Sequence, residues 1–317
     1  MINYNFLQRK LHYLALGNNI IKKGLYEIEK MLFLKKLDIS NNEHIFVSGL
    51  PRSGTTMLLN LIFSSGEYAS LKYSNMPFIM SPNISNLIPK KNITKKERFH
   101  NDGVLFDLNS PEAFDEVFFS TFSNSDINNE LYNYISLILI SQNKKRYLSK
   151  NNLNYNRIDL IKSIFPKSKF LIPAREPLQQ SLSLLNQHLH FLKLQKNNNF
   201  IRKYMNYLYH FEFGLDHKFW NKPKIYKDPN NLNYWLEQWV LFYEMIYDKY
   251  STNNSCKFIL YENLINQNKI DELLSFINIK IETNFQFIFK DQINTDINFD
   301  IELYDKAQSI YSKFQKY

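Results

Sequence analysis

Four short apolar runs punctuate the chain: His44-Ile45-Phe46-Val47-Ser48, Arg146-Tyr147-Leu148-Ser149, Phe170-Leu171-Ile172-Pro173 and Lys257-Phe258-Ile259-Leu260-Tyr261. Runs this short, bounded by turn residues, predict strands. Helical spacing of apolar residues predicts helices over Thr56–Phe63, Arg157–Phe165, most of 178–214, and Trp235–Tyr250, where Trp235 and Trp239 sit four apart on one core-facing side. Strands alternating with helices imply an α/β fold, a mostly parallel central sheet flanked by helices on both faces. Residues 146–173 read as one βαβ unit.

The remaining segments frame that core. Residues 5–37 alternate apolar and charged positions, predicting one or two N-terminal helices that pack as a cover within 1–40. Residues 74–109 hold Pro77, Pro82, Pro89 and a basic run, which predicts a loop or lid insertion. Ser110-Pro111-Glu112 has the form of a helix start, with Ser at the N-cap and Pro in the first turn, so a helix is expected over Pro111–Phe122. An Asn- and Lys-rich stretch near 216–233 reads as loop. The whole of 1–317 is expected to form one domain.

Composition narrows the class. Of 317 residues 44% are hydrophobic and 16% aromatic, enough to form a core and exclude a disordered chain. The formal charge of +9 suits a phosphate-rich cofactor, an anionic glycan, nucleic acid or a membrane surface, and selects none of them. One cysteine, Cys256, allows no intrachain disulfide and no cysteine-based zinc site, which fits a cytoplasmic protein. The first 33 residues lack a secretory pattern, and no stretch reaches the roughly 18 apolar residues of a spanning helix. Peripheral contact between the basic, partly amphipathic N-terminus and a membrane stays open.

Candidate chemistry enters at Gly49-Leu50-Pro51-Arg52-Ser53-Gly54-Thr55-Thr56, between a predicted strand and a predicted helix. Two glycines permit a tight turn, successive N–H groups face inward, and the helix presents its positive end to an enclosed anion. The loop approaches the nucleotide-binding pattern GxxxxGK[ST], but Thr55 replaces the lysine and the cation comes earlier, as Arg52. A second constellation is Arg175-Glu176-Pro177 with Ser183 eight residues after the arginine. Arg175 leaves a strand and Ser183 lies along the following helix, so the two can clamp one phosphate.

In these two segments the chain resembles the sulfotransferases that use 3'-phosphoadenylyl sulfate (PAPS), whose 5'-phosphosulfate loop commonly reads Pro-Arg-Ser-Gly-Thr-Thr. A third likeness, to Golgi-type and bacterial members, is the strand-end turn Ser149-Lys150-Asn151-Asn152. The resemblance covers roughly 44–63, 146–190 and 235–264. It implies a P-loop-like sulfotransferase fold and transfer of a sulfuryl group from PAPS to an acceptor hydroxyl, leaving adenosine 3',5'-bisphosphate (PAP), with no metal required. By resemblance, Pro51, Arg52, Ser53, Gly54, Thr55 and Thr56 hold the 5'-phosphosulfate, and Arg175 and Ser183 the 3'-phosphate. Tyr261, at a strand end resembling that of tyrosylprotein sulfotransferases, is either an adenine contact or a core tyrosine.

Of the catalytic groups, Arg52 acts on the phosphosulfate and Lys150 is the candidate second cation, or else a solvated loop lysine. A hydroxyl nucleophile needs a base. Glu112 and Glu116, one turn apart on the expected helix, are the first choice, with His100 and Asp102 as the alternative. His188 and His190 lack a matched third ligand for a metal. The acceptor, whether glycan, lipid-linked sugar, peptide or small alcohol, is undetermined; Lys90, Lys91, Lys95, Lys96 and Arg98 favour a polyanionic or carbohydrate one. A small-molecule kinase with an altered loop and a non-catalytic nucleotide or glycan binder are the competing readings. No nucleic-acid-binding motif is present.

Overall fold

The run at 45–47 becomes the middle strand of a five-stranded sheet because both of its faces are apolar. Ile45 and Val47 pack into one buried cluster and Phe46 into another, on opposite sides of the sheet. The computed structural model describes residues 4–90, 94–97, 103–122, 126–281 and 298–316. In chain order these form α1 (Phe6–His12), α2 (Asn19–Phe33), β1 (Ile45–Val47), α3 (Thr55–Ser64), β2 (Tyr68–Ala69), α4 (Pro82–Leu87), β3 (Lys96–Glu97), β4 (Leu105–Phe106), α5 (Glu116–Thr121) and α6 (Ile127–Gln142). The second half contributes β5 (Arg146–Lys150), α7 (Ile158–Ile164), β6 (Lys169–Ala174), α8 (Pro177–Asn197), α9 (Asn199–Tyr207), α10 (Leu232–Tyr250), β7 (Cys256–Leu260), α11 (Gln267–Phe276) and α12 (Ile301–Phe314).

The large sheet has the order β2-β5-β1-β6-β7, and every pairing in it is parallel. The α/β architecture expected from the alternating pattern is therefore present. Ile45 sits opposite Leu148 on one side and Lys169 on the other, so β1 separates β5 from β6, and the βαβ unit read at 146–173 crosses over β1. The connection from β1 runs through α3 to β2 on one side and that from β5 crosses to β6 on the other, so the chain changes direction about β1, where a crevice forms at the carboxyl ends of β1, β5 and β6. Residues of α3 and α11 cover one face with Leu171 and Ile259; α6, α7, α10 and α12 cover the other with Phe170, Ile172 and Phe258. Trp235 and Trp239 are both fully buried on α10.

Two expected elements differ. No helix runs over Pro111–Phe122: Pro111 bridges to Lys72, Glu112 N–H donates to Leu71 O at 3.0 Å, and Ser110 Oγ bonds Asp107 instead of capping. Extended pairing to 71–73 holds this stretch until α5 begins at Glu116. The 74–109 segment is only partly a surface insertion. Ile79 and Met80 belong to the main core and α4 packs on α6, because Pro82 occupies the first turn of a helix, where its missing N–H costs nothing. In the paired strands β3 and β4 after it, Lys96, Glu97 and Leu105 are exposed and Phe106 is buried. His100 and Asp102 lie outside the described residues.

His44 locks the entry to β1. Its Nδ1 accepts from Tyr147 N–H at 2.9 Å while Nε2 donates to Ile39 O at 3.1 Å, which fixes the neutral tautomer. Complete burial lowers its pKa to about 4. A histidine pKa held below its unfolded value of about 6.5 contributes stability that is full at neutral pH and is lost as pH falls from about 6.5 to about 4. Urea unfolding across that range is expected to show a loss that is shallower in His44→Asn by up to about 3 kcal/mol; parallel pH profiles would contradict it.

Candidate active site

The loop after β1 is shaped by two residues in the left-handed region, Arg52 at φ 71° and Gly54 at φ 93°. Gly54 also has no room for a side chain, since a Cβ there would lie 2.9 Å from the Tyr261 ring. Arg52 is a non-glycine residue in that strained region, and its Nε donates to Ser183 Oγ at 2.9 Å. The phosphate loop and the Arg175–Ser183 segment, read separately in the sequence, thus meet through a side-chain hydrogen bond. Ser53 turns its hydroxyl back onto Leu50 O at 2.8 Å and is fully buried, so it braces the loop.

Behind the loop, the Gln180 carboxamide is completely buried. Its Nε2 donates to Pro51 O at 3.0 Å, while its Oε1 accepts from Arg175 N–H at 3.2 Å and from Trp239 Nε1 at 3.0 Å. Tyr243, also on α10, donates to Pro173 O at 2.7 Å. Arg175 is 7% exposed, and its guanidinium lies 4.9 Å from the centre of the Tyr261 ring. Among the described residues no carboxylate pairs with it. A nearly buried cation in this state is best compensated by an anion from outside.

Pro51, Arg52, Gly54, Thr55, Thr56, Glu112, Lys150, Arg175 and Tyr261 all line one cavity at the carboxyl ends of β1, β5, β6 and β7. Ser53 and Ser183 stand behind that wall, and so does Glu116, contrary to the expected pair of carboxylates on one cleft-facing helix. Glu116 instead accepts both arms of Arg157 at 2.8 Å and Asn151 Nδ2 at 2.8 Å. Such a bidentate pair ties its carboxylate to Arg157 and the strand-end turn.

Glu112 sits on the cavity wall with both oxygens held: Tyr73 OH donates at 2.7 Å and Ala113 N–H at 2.9 Å. Beside it, Asp115 is buried with the hydroxyls of Tyr147 and Ser149 bonded to its carboxyl. Burial, aided by the neighbouring Glu116 charge, raises the Asp115 pKa to about 6. Asp115 and Glu116 therefore fasten the 112–116 stretch to β5 and its turn, and Glu112 and Lys150 both line the cavity.

The cavity also contains residues with no sequence signal. His210 follows α9 and its Nε2 lies 2.9 Å from Ala113 O, next to Glu112. Glu212 accepts from Asn152 Nδ2 at 3.2 Å. Tyr204, Met205 and Leu208 of the α9 region, with Tyr73, Phe114 and Phe213, supply an apolar wall. His188 is not part of it; burial lowers its pKa to about 4 and it receives Gly214 N–H.

The sequence model of the Sulfotransferase family matches residues 44–224, more than half of the chain, and spans the phosphate loop, Lys150 and the Arg175–Ser183 segment. The chain belongs to the sulfotransferase family. Among solved structures, sulfotransferase STF1 from Mycobacterium tuberculosis is similar in fold, with a TM-score of 0.53 and 11% identity over 99% of this chain and 87% of that one. STF9 from Mycobacterium avium gives a TM-score of 0.45 at 11% identity, covering 99% and 79%. Mouse sulfotransferase SULT7A1, solved with PAP, gives 0.34 at 14% identity, covering 93% and 70%. No curated protein matches the chain in sequence. The sulfotransferase fold and enzyme class expected from the loop motifs are thus present, with the acceptor undetermined.

Replacing Gln180 by Leu would strand the Pro51 carbonyl and the Arg175 and Trp239 N–H groups in a dry core. Each unmet group costs about 1–3 kcal/mol, so a loss of at least about 3 kcal/mol is expected in urea unfolding of Gln180→Leu. A loss below about 1 kcal/mol would show that the carboxamide does not carry the junction.

Proposed function

We propose that this sulfotransferase binds PAPS across the two anion-binding segments and transfers its sulfuryl group to the hydroxyl of an acceptor with an apolar body. The observation that carries the reading is Arg175: a nearly buried guanidinium on the cavity wall, without a carboxylate partner among the described residues, tied through Gln180 to the phosphate loop. A nucleotide with phosphates at both ends of its ribose fits a donor set split in this way.

In this assignment the N–H groups and hydroxyls of Gly54, Thr55 and Thr56 at the start of α3 take the 5'-phosphosulfate, with Arg52 as its cation. Arg175 takes the 3'-phosphate. Ser183, bonded to Arg52 Nε, joins the two ends. Tyr261 acts as a wedge between Gly54 and Arg175. PAPS, when bound, supplies an activated sulfuryl group and a phosphate leaving oxygen. Lys150, 9% exposed at the end of β5, brings positive charge to the cavity that Glu112 also lines.

Glu112 is the general base in this proposal. The bonds from Tyr73 OH and Ala113 N–H fix the carboxylate plane on the cavity wall, where an acceptor's hydroxyl proton would meet it. His210 is the second reading for this role, favoured by its position across the Ala113 carbonyl from Glu112. With Nε2 donating to that carbonyl, Nδ1 is the basic nitrogen.

The acceptor reading rests on the wall of Tyr73, Phe114, Tyr204, Met205, Leu208 and Phe213, which favours an apolar body over a sugar chain. Of the basic residues that favoured a polyanion, the described ones, Lys90, Lys95 and Lys96, do not line this cavity. Lys90 bonds Ser74 O and donates to Ser85 Oγ at 2.8 Å, Lys95 and Lys96 are exposed, and Lys91 and Arg98 lie outside the described residues.

The test is release of PAP from PAPS in the presence of long-chain and aromatic alcohols. Glu112→Gln is expected to lower kcat about 10²- to 10⁴-fold while leaving PAP affinity unchanged. Arg175→Ala is expected to weaken PAP binding about ten- to a hundredfold. Full turnover in Glu112→Gln together with a collapse in His210→Asn would move the base to His210; turnover on sugars alone would overturn the acceptor class.

A further inference from the structure

Helices α1 and α2 are amphipathic the wrong way round. On α2 the buried side carries Lys22, Tyr26 and Glu29, each 0% exposed. Glu29 accepts the Asn83 and Ile84 N–H groups at the start of α4 at 2.7 and 3.0 Å. Tyr26 OH and Lys30 Nζ both donate to the Glu130 carboxylate of α6, at 2.7 and 2.9 Å. These polar contacts set the rotation of the helix. At 100° per residue, Ile20, Ile28, Met31 and Leu32 then fall within one stripe on the opposite side, where they are 84, 45, 78 and 60% exposed.

The same holds on α1. His12 is its buried residue, whereas Phe6, Leu7, Lys10 and Leu11 form an exposed face that Leu14 extends into the following turn, with Phe6 and Leu7 70 and 73% exposed. Lys10 Nζ stands 4.8 Å from the centre of the Phe6 ring, an ammonium group set directly over exposed apolar surface. Large exposed apolar side chains elsewhere among the described residues are scattered over separate elements. A concentrated patch of this kind marks an interaction surface.

The charge around the patch selects the occupant. Arg9, Lys10, Lys23, Lys35 and Lys36 are exposed in this region against two exposed acids, Glu27, which pairs with Lys30 at 3.0 Å, and Asp38, which accepts from Ser40 N–H and Oγ. Apolar side chains interleaved with cations match a bilayer bearing anionic headgroups, where the side chains enter the acyl boundary and the lysines meet phosphate. We infer that α1 and α2 dock the enzyme on an anionic membrane surface, lying in its plane.

The docked helices also reach the active site. Tyr4, just before α1, packs against Tyr204 with ring centres 6.0 Å apart, and Tyr13 lies 6.3 Å from Tyr207. Tyr204 lines the cavity, so α9 connects the docked helices to the apolar wall. A membrane-held amphiphile bearing a hydroxyl is the acceptor class that both features fit. The docking itself does not depend on sulfuryl transfer, so vesicle binding and PAP release fail separately.

The test is flotation of the full chain with vesicles of phosphatidylcholine alone or with about 30% phosphatidylglycerol, enough anionic lipid to develop a negative surface potential. The protein is expected to float with the anionic vesicles and to be released by salt. Ile20→Asp/Met31→Asp should weaken binding at least about tenfold. Lys35→Glu/Lys36→Glu, outside both helices, should do so by at least about tenfold without touching the apolar stripe. No flotation with anionic vesicles overturns the inference. So does a solution dimer that Ile20→Asp/Met31→Asp converts to monomer, which would assign the patch to a second copy of the chain.

Discussion

The candidate active site depends on one buried carboxamide. Gln180 is the point where the phosphate loop, the end of β6 and α10 are joined, and each of its bonds is made to a group that water cannot reach. In a dry interior such bonds are nearly obligatory, because leaving a partner unmet costs more than the bond contributes. The loop therefore cannot shift relative to Arg175 without breaking the junction. Gly49 adds a steric limit: a Cβ there would sit 2.9 Å from Pro173 O, so β1 and β6 approach as closely as backbone permits at the base of the cradle.

Where Glu112 meets the cavity, placement relies on a different device. The 110–112 stretch is held as extended chain against 71–73, and Asp115 and Glu116 anchor the start of α5 to β5 and its turn. Two acids adjacent in sequence thus act as fasteners, while Glu112 presents its carboxylate to the cavity. This division sets the electrostatics. Arg157 pairs with Glu116 and burial raises Asp115, while the cavity wall itself carries Arg52, Lys150 and Arg175 together with Glu112 and Glu212.

Much of this was legible in the sequence. The strands at 45–47, 146–150, 169–174 and 256–260 were marked by apolar runs, and the phosphate loop by its glycines, because both signals are local. The illegible parts depended on distant partners. Pro111 resembles a helix start until Lys72 pairs with it, and Glu116 resembles a buried base until Arg157, 41 positions away, reaches it. Gln180 is one glutamine among many. On α2 the periodicity was visible, but which side faced inward was decided by Asn83 and Glu130. Helix α12 is an addition to the expected elements, although Tyr304, Ala307, Tyr311 and Phe314 carry helical spacing; the Asn-rich stretch ahead of it separates that pattern from the alternating strands and helices of the core.

The central claim is that the two anion-binding segments form one nucleotide cradle in which Arg52, not a loop lysine with a metal, supplies the charge. Calorimetric titration of the protein in EDTA with PAP, and separately with ATP and Mg²⁺, tests it most directly. The expected result is saturable, metal-independent PAP binding at one site per chain, with ATP bound at least about tenfold more weakly because it lacks the 3'-phosphate that Arg175 takes. Absent PAP binding, alongside Mg²⁺-dependent ATP binding, would contradict it.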